Sequence, residues 1–188
     1  MKTYNEQIIL QDHFDGGLSD GWYWLREHPD YWRIRNRGLE IRVEPGYAET
    51  VNNALVRPAP DRSEGRFAIE VTVTNLTYPT QQWEQAGITL YHDGAPVLKE
   101  VKELVDGVLC IIPGHVPMSE QTVRLRLIVT NDSWEAQFCP GGQQEFQTAE
   151  TGKLSPPGKD EVSIQCYHGP PDEAHWIRFE NFCIKRLR

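Results

Sequence analysis

The chain has 188 residues, of which 39% are hydrophobic and 24% charged, and its 19 Lys and Arg against 27 Asp and Glu give a formal charge of −8. This length is typical of one domain, so we predict a single domain over residues 1–188. The acidic balance disfavours binding to nucleic acid or to an anionic membrane surface. No apolar run approaches the ~20 residues that span a bilayer, so no membrane association is expected.

Apolar and polar residues alternate with a period of two along most of the chain, which indicates half-buried β-strands. The clearest case is 66–73, where Phe67, Ile69, Val71 and Val73 fall on one face. In chain order the predicted strands are 7–11, 32–35, 39–43, 54–57, 66–73, 86–91, 97–104, 108–112, 121–129, 134–138, 162–167 and 175–184. A dozen short strands without a convincing helix predict an all-β, antiparallel sandwich or barrel.

Turn residues stand between these segments. Asp93-Gly94 and Asp106-Gly107 each separate two predicted strands by a short, Gly-containing reversal, which is typical of tight hairpins. Residues 148–159 contain two Gly and two Pro and are predicted to form a longer loop.

The cysteines and the N-terminus bear on the compartment. Cys110, Cys139, Cys166 and Cys183 are widely spaced without a C-x-x-C motif, which disfavours a structural zinc site or a dithiol redox motif. The N-terminal apolar stretch is confined to 8–10 and is followed by Asp12, which is not typical of a secretory signal. We therefore expect a cytoplasmic protein with reduced cysteines.

No cofactor is expected from the spacing of the six histidines, which lack the patterns of metal ligands. Asp12 and Asp15 lie in a Gly-containing segment and supply hard oxygen atoms, so they are weak candidates for a calcium site.

Several short motifs carry a resemblance to a known group of domains. They are Asp12-His-Phe-Asp15, the segment 22–24 (WYW), Gln85-Ala-Gly-Ile88, the segment 99–107 (KEVKELVDG) and the closing segment 179–184 (FENFCI). The chain resembles the concanavalin A-like β-sandwich (jelly roll) domains at the C-terminus of family 43 β-xylosidases and the small stand-alone "regulation of enolase" family. The resemblance implies two stacked antiparallel sheets, with the first strand pairing near the last and a concave polar face.

Candidate binding residues follow from the alternation of the strands. If the strands lie in one sheet, polar side chains gather on its outward face; these are Arg57, Glu70, Tyr91, Lys99, Glu103, Arg124 and Arg126. Such a mixture can hydrogen-bond sugar hydroxyls, and Trp83 and Tyr91 could stack on a pyranose ring. The alternatives are a solvated face of Arg–Glu pairs and a loop tryptophan folded back over the sandwich. Among the other tryptophans, Trp22 and Trp24 are weaker ligand candidates.

These observations lead to one preferred hypothesis and two alternatives. We expect a non-catalytic carbohydrate-binding, lectin-like or accessory domain that binds a sugar on its concave face. The resemblance also implies a protein-interaction or regulatory role in sugar metabolism. A small glycoside hydrolase is less favoured, and it would need Glu70 and Glu103 as its pair of carboxylates. A two-fold homodimer is compatible with each hypothesis.

Overall fold

The protein is described by a computed structural model over residues 5–188. Residues 1–4 lie outside the described residues. They begin the N-terminal segment that was compared with a secretory signal above. The described chain forms two antiparallel β-sheets packed face to face, together with two short 3₁₀ turns at Pro29–Tyr31 and Arg62–Glu64. The predicted all-β sandwich is thereby confirmed, and the barrel alternative is wrong because both sheets remain open.

The first sheet contains the chain's first and last strands side by side. From edge to edge its order is β13 (Gln147–Lys153), β12 (Ser133–Pro140), β11 (Thr122–Val129), β6 (Phe67–Asn75), β15 (His175–Leu187), β4 (Leu39–Val43) and β3 (Trp32–Ile34). The eighth strand, β1 (Glu6–Asp12), pairs with the second half of β15. This pairing agrees with the expectation drawn from the resemblance.

The second sheet has seven strands. Its order is β10 (Val116–Pro117), β9 (Val108–Ile112), β8 (Ala95–Val105), β7 (Gln85–His92), β14 (Asp160–Tyr167), β5 (Ala54–Pro58) and β2 (Tyr23–Leu25). Both Asp-Gly pairs connect hairpin strands of this sheet, and all four of their residues have positive φ. Positive φ at both central positions is the requirement of a type I′ turn, so the predicted hairpins are confirmed.

The core lies between the two sheets and is built from the inward faces of the alternating strands. Phe67, Ile69, Val71 and Val73 of β6 are buried there, as the pattern predicts, and they share one apolar cluster with Ile88 of β7. Alternation therefore identifies correctly which face of β6 is buried.

One predicted loop is in fact a strand. Residues 147–153 form β13, which pairs with β12 at the edge of the first sheet, and only the part after Lys153 runs as a loop. The sequence pattern misses this strand because neither of its faces is apolar: its residues are exposed or half-exposed, and the ladder to β12 holds them in place.

Two ionisable side chains lie between the sheets. Glu100 pairs with the core residue Ile88, and Lys102 pairs with the core residue Ala86, so both point inward from β8. The Glu100 Oε1 atom accepts a hydrogen bond from the backbone N–H of Arg126 in the opposite sheet at 3.3 Å, and burial raises the pKa of Glu100 well above its ordinary value. The Lys102 ammonium donates to two backbone carbonyls that precede β11, those of Glu120 and Gln121.

Within residues 5–188, neither of the helical segments has the length and apolarity needed to cross a bilayer.

Candidate functional site

The predicted binding residues do not share one face, because the strands that carry them belong to different sheets. Glu70, Arg124 and Arg126 lie on the outer face of the first sheet. Lys99 and Glu103 lie on the outer face of the second sheet, where Trp83 joins them. The premise that one sheet gathers all of these residues is therefore wrong.

On the first sheet the charges neutralise one another. Glu70 accepts ion-pair contacts at 3.0 Å from Lys185 and from Arg126, and both cations also contact Glu6. This closed network of two acids and two bases matches the alternative of a solvated face with paired charges. Arg124 beside it stacks on Phe146, with 4.8 Å between its guanidinium carbon and the ring centroid.

The hydrolase hypothesis fails on the same geometry. Glycoside hydrolysis needs two carboxyl groups within ~10 Å that flank one glycosidic bond. Glu70 and Glu103 lie on the outer faces of opposite sheets, with the core between them. Their proposed pairing is wrong.

Two further candidates lie outside the lining of the groove described below. Arg57 pairs with the core residue Val162 and points inward, where its guanidinium carbon lies 4.9 Å from the ring centroid of Trp22. Tyr91 is only 3% exposed, and its hydroxyl donates to the carbonyl of Ala48 or the side-chain oxygen of Gln165. Tyr91 is therefore almost inaccessible beneath the loop that contains Ala48, whereas Arg57 is partly exposed but points toward Trp22, so neither residue lines the groove.

Five of the six tryptophans are used in packing. Trp22 packs edge-on against Phe182 with 4.8 Å between ring centroids and donates its indole N–H to Asp12. Trp24 lies against Trp32, Trp176 lies under the guanidinium of Arg33, and Trp134 packs against the core. Trp83 differs, because 53% of its surface is exposed.

The outer face of the second sheet contains a groove of about 410 Å³ beside Trp83. Strand register builds its floor: Glu103 of β8 lies opposite Gln85 of β7, and Gln85 lies opposite Tyr167 of β14. Around this row stand two loops and the residue that follows β14; the remaining lining residues are Tyr47, Ala48, Glu49, Trp83, Lys99 and His168.

Lys99 connects the polar groups of the floor. Its ammonium donates to Glu103 at 2.7 Å and to the side-chain oxygen of Gln85 at 2.8 Å. An ammonium has three N–H donors, so one remains for another acceptor. The groove thus presents a donor and a carboxylate acceptor next to each other, which is the pairing that adjacent sugar hydroxyls require.

Trp83 is held in place by its backbone. Its N–H donates to the carbonyl of Leu104 at 2.8 Å, its carbonyl accepts from the Gln85 side chain at 2.9 Å, and its φ of +67° is in the left-handed region. The buried carboxylate of Glu84 accepts hydrogen bonds from the two loop N–H groups of Thr80 and Gln81. A left-handed conformation costs free energy for a residue other than glycine, so the surrounding contacts determine it.

His175 of β15 supports the same loop from below. Its Nδ1 lies 2.8 Å from the Glu84 carboxylate, and both side chains are buried. The exposed indole of Trp83 therefore projects from a loop that is anchored to both sheets.

The second wall comes from the loop between β4 and β5. Tyr47 is 64% exposed at its tip, where its N–H donates to the Thr50 hydroxyl. The loop docks through Val51, which is buried in a small cluster with Tyr167. Tyr47 and Trp83 both contact the ring of His168 edge-on, with centroid distances of 4.8 and 6.0 Å and interplanar angles near 90°. Two exposed aromatic rings therefore stand around one imidazole.

Burial sets the protonation states around this imidazole. Burial lowers the pKa of His168. The charge of Glu103 raises this pKa and the charge of Lys99 lowers it, both by less than burial does, so His168 is neutral at pH 7. Burial raises the pKa of the Tyr167 phenol, which keeps its proton. The groove floor therefore carries one internal ion pair between two neutral rings.

Of the eight predicted binding residues, the structure brings only Trp83, Lys99 and Glu103 together in the groove. Sequence reasoning did not select Tyr47, Glu49 or His168. For Tyr47 the sequence offers one signal: an aromatic residue follows Pro45-Gly46 in a stretch without strand periodicity, which is typical of a loop.

The two calcium candidates are engaged otherwise. The Asp12 carboxylate accepts four hydrogen bonds, from the N–H of Phe14, the N–H and hydroxyl of Ser19 and the indole of Trp22. These donors use the oxygen lone pairs that a cation would need, and they lower the pKa of Asp12 against the opposing effect of burial. Asp15 is exposed and lies 3.4 Å from Arg37. No group of three or more potential metal ligands occurs in the part of the chain that is described.

Solved structures with the same architecture were found by comparison. A xylan β-1,4-xylosidase from Bacillus halodurans superposes with a TM-score of 0.71 at 16% identity, covering 94% of this chain and 39% of the xylosidase. The fold is a concanavalin A-like β-sandwich. A CBM2 module of the evolved Dit protein from Lactobacillus casei phage J-1 has a TM-score of 0.60 at 10% identity and covers 99% of this chain and 98% of the module. The alginate lyase AlgAT5 of polysaccharide lyase family 7 has a TM-score of 0.61 at 10% identity, with 87% and 93% covered.

These similarities establish the fold, and the chain spans about two fifths of the length of the xylosidase and of the GH43 protein BlXynB from Bacillus licheniformis. No family model matches the sequence, and no curated protein matches it.

Proposed function

We propose that the chain is a non-catalytic, lectin-like carbohydrate-binding or accessory domain that holds a sugar in the groove of the second sheet. The observation that carries the proposal is the exposed Trp83, held by its backbone in a left-handed conformation beside a floor of paired polar groups. An exposed aromatic ring with polar groups at its base is the usual way in which proteins bind neutral sugars.

Each groove residue has a role in this proposal. Trp83 and Tyr47 supply flat apolar faces for the C–H surfaces of a pyranose ring. The remaining N–H of Lys99 donates to one hydroxyl, and the Glu103 carboxylate accepts from its neighbour. The amide of Gln85 and the loop around Trp83 hold these groups in fixed positions, so little side-chain entropy is lost on binding.

The same contacts favour binding without turnover. Glu103 is tied to Lys99 by an ion pair at 2.7 Å. This contact occupies a carboxylate oxygen of Glu103 with an ammonium donor, whereas a general acid needs a carboxyl group that is free to reach the glycosidic oxygen. We therefore propose an accessory role, as in a module that brings a catalytic partner to its substrate.

A cytoplasmic location is part of the proposal. Its support is that all four cysteines are buried and free, which is the usual state in a reducing compartment.

The proposal is tested by a glycan array followed by isothermal titration calorimetry with the sugars that bind. Trp83→Ala and Tyr47→Ala should each weaken binding by about tenfold or more, which corresponds to about 1.4 kcal/mol. Tyr78→Ala is the matched control, because Tyr78 is 52% exposed in the same loop but does not line the groove.

No saturable binding on a broad array, or equal affinity in the wild type and Trp83→Ala, would overturn the proposal. Copurification of a stoichiometric protein partner, together with a negative array, would instead support the protein-interaction hypothesis.

A further inference from the structure

The charges that line the groove do not balance. Glu103 and Lys99 form an ion pair and contribute no net charge together. Glu49 is the remaining charged residue of the lining, and it is exposed on the Tyr47 loop. His168 is neutral at pH 7, so the described residues that line the groove carry a net charge of one negative unit, on Glu49.

The groove also lacks the group that recognises carboxylates best. Proteins bind carboxylates through the planar fork of arginine, which makes two parallel hydrogen bonds. No arginine is among the described residues that line the groove. Arg124 and Arg126 lie on the other sheet, where Arg126 is already paired with Glu70 and Glu6.

Lys99 is the one cation among the described residues of the lining, and its ammonium is already engaged. Lys99 uses two of its three donors on Glu103 and Gln85. A carboxylate on a ligand would have to compete with Glu103 for this ammonium, while a hydroxyl can accept the third N–H and leave the ion pair intact. The overall charge of −8 also repels a negatively charged ligand, at longer range.

We propose that the groove selects neutral pyranosides and rejects uronic acids, with Glu49 as the main specificity-determining residue. The inference rests on the proposed sugar-binding function and names its ligand class. A ligand carboxylate within about 8 Å of Glu49 should bind roughly threefold to thirtyfold more weakly than the matching neutral sugar, depending on the local dielectric. The difference should shrink as salt rises from 0.01 M to 1 M, because the screening length falls from ~30 to ~3 Å.

The experiment compares the methyl β-glycosides of glucose, galactose and mannose with the corresponding uronic acids, by NMR titration of the ¹⁵N-labelled protein at pH 7 and low salt. Each pair differs only in the oxidation state of C6. Glu49→Gln should narrow the ratio of the two dissociation constants to within about twofold. Glu150→Gln is the control, because it changes the total charge equally from an exposed site on β13 of the other sheet.

Each outcome is decisive. Neutral sugars that bind at least threefold more tightly than their acids, with a ratio that falls in Glu49→Gln alone, support the inference. Equal or tighter binding of the uronic acids overturns the inference and leaves sugar binding in place. A preference that Glu49→Gln does not change overturns the role of Glu49. Binding of none of the six probes overturns the inference, and a negative array then removes the proposed function too.

Discussion

Glu100 gives a sharp test of the sandwich interior. Its side chain is fully buried, one carboxyl oxygen accepts the backbone N–H of Arg126, and the other has no partner among the described residues. Burial raises the pKa of Glu100 well above its ordinary value of 4.5. The folded protein therefore keeps a proton that the unfolded chain releases above about pH 4.5.

The sign of the effect follows from proton linkage. Because the folded state binds more protons than the unfolded state above pH 4.5, the free energy of unfolding falls as pH rises from there toward the folded-state pKa. For a single proton the slope is at most about 1.4 kcal/mol per pH unit, so Glu100 should lower stability progressively as the pH rises from 5 toward 7. Glu100→Gln keeps the size and the acceptor but cannot ionise, so it should remove this slope.

The assay is urea unfolding of the wild type and Glu100→Gln at pH 5, 6 and 7. We expect the free energy of unfolding of the variant to rise relative to that of the wild type at each step, by up to about 1.4 kcal/mol per pH unit. Glu150→Gln on the exposed strand β13 should run parallel to the wild type. Parallel curves for Glu100→Gln would refute the reasoning, because they would show that Glu100 is ionised in the folded protein.

Three other substitutions test particular contacts. Burial lowers the pKa of Lys102 to about 8. Between pH 8 and 10.5 the unfolded chain therefore binds more protons than the folded protein, and the free energy of unfolding rises with pH. Lys102→Met should abolish this rise, which is about 1.4 kcal/mol per pH unit, in urea titrations at alkaline pH. The Arg62 Nε atom lies 2.5 Å from a carboxylate oxygen of the buried Asp160. Arg62→Met removes this main cation and should lower the free energy of unfolding by about 3–5 kcal/mol, and a loss below about 1 kcal/mol would contradict this. Gly87→Ala places a Cβ onto the carbonyl oxygen of Glu100 in the next strand, so the variant should lose several kcal/mol or fail to fold, and a wild-type melting temperature would show that the strands can separate there.

The alternation of the strands predicts faces but not sheets. β6 and β7 follow each other in the chain, yet residues 76–84 carry the chain from one sheet to the other. Both strands have the same period, so nothing local distinguishes their sheets. Glu70 and Glu103 are therefore each correctly placed on an outward face, and their pairing is wrong because long-range strand order decides it.

In β8 the order of apolar and polar residues does not show which face of the strand is buried. The segment 99–103 reads KEVKE, in which only Val101 suggests an inward face. The register instead turns Glu100 and Lys102 inward and leaves Val101 on the side of Lys99. The backbone N–H of Arg126 donates to Glu100, and the carbonyls of Glu120 and Gln121 accept from Lys102. Such partners are visible only in the folded structure.

Loops set the remaining limit on prediction from sequence. Trp83 is predictable because a tryptophan in a polar stretch has few reasons to be there other than folding back or binding. Tyr47 and His168 belong to the groove because Val51 docks one loop onto Tyr167 and because β14 ends beside it. Contacts between residues so far apart in the chain leave no local pattern.

The central claim, that a sugar binds beside Trp83, is tested most directly by ¹H–¹⁵N NMR of the six tryptophan indoles during titration with a sugar taken from the array. The indole signal that is missing in Trp83→Phe should move with saturation, together with the backbone amides of Tyr47 and His168. The Trp22 indole, bonded to Asp12, should stay unchanged. Movement confined to amides of the first sheet, such as those of Thr72 and Arg124, with a constant Trp83 signal, would contradict the account.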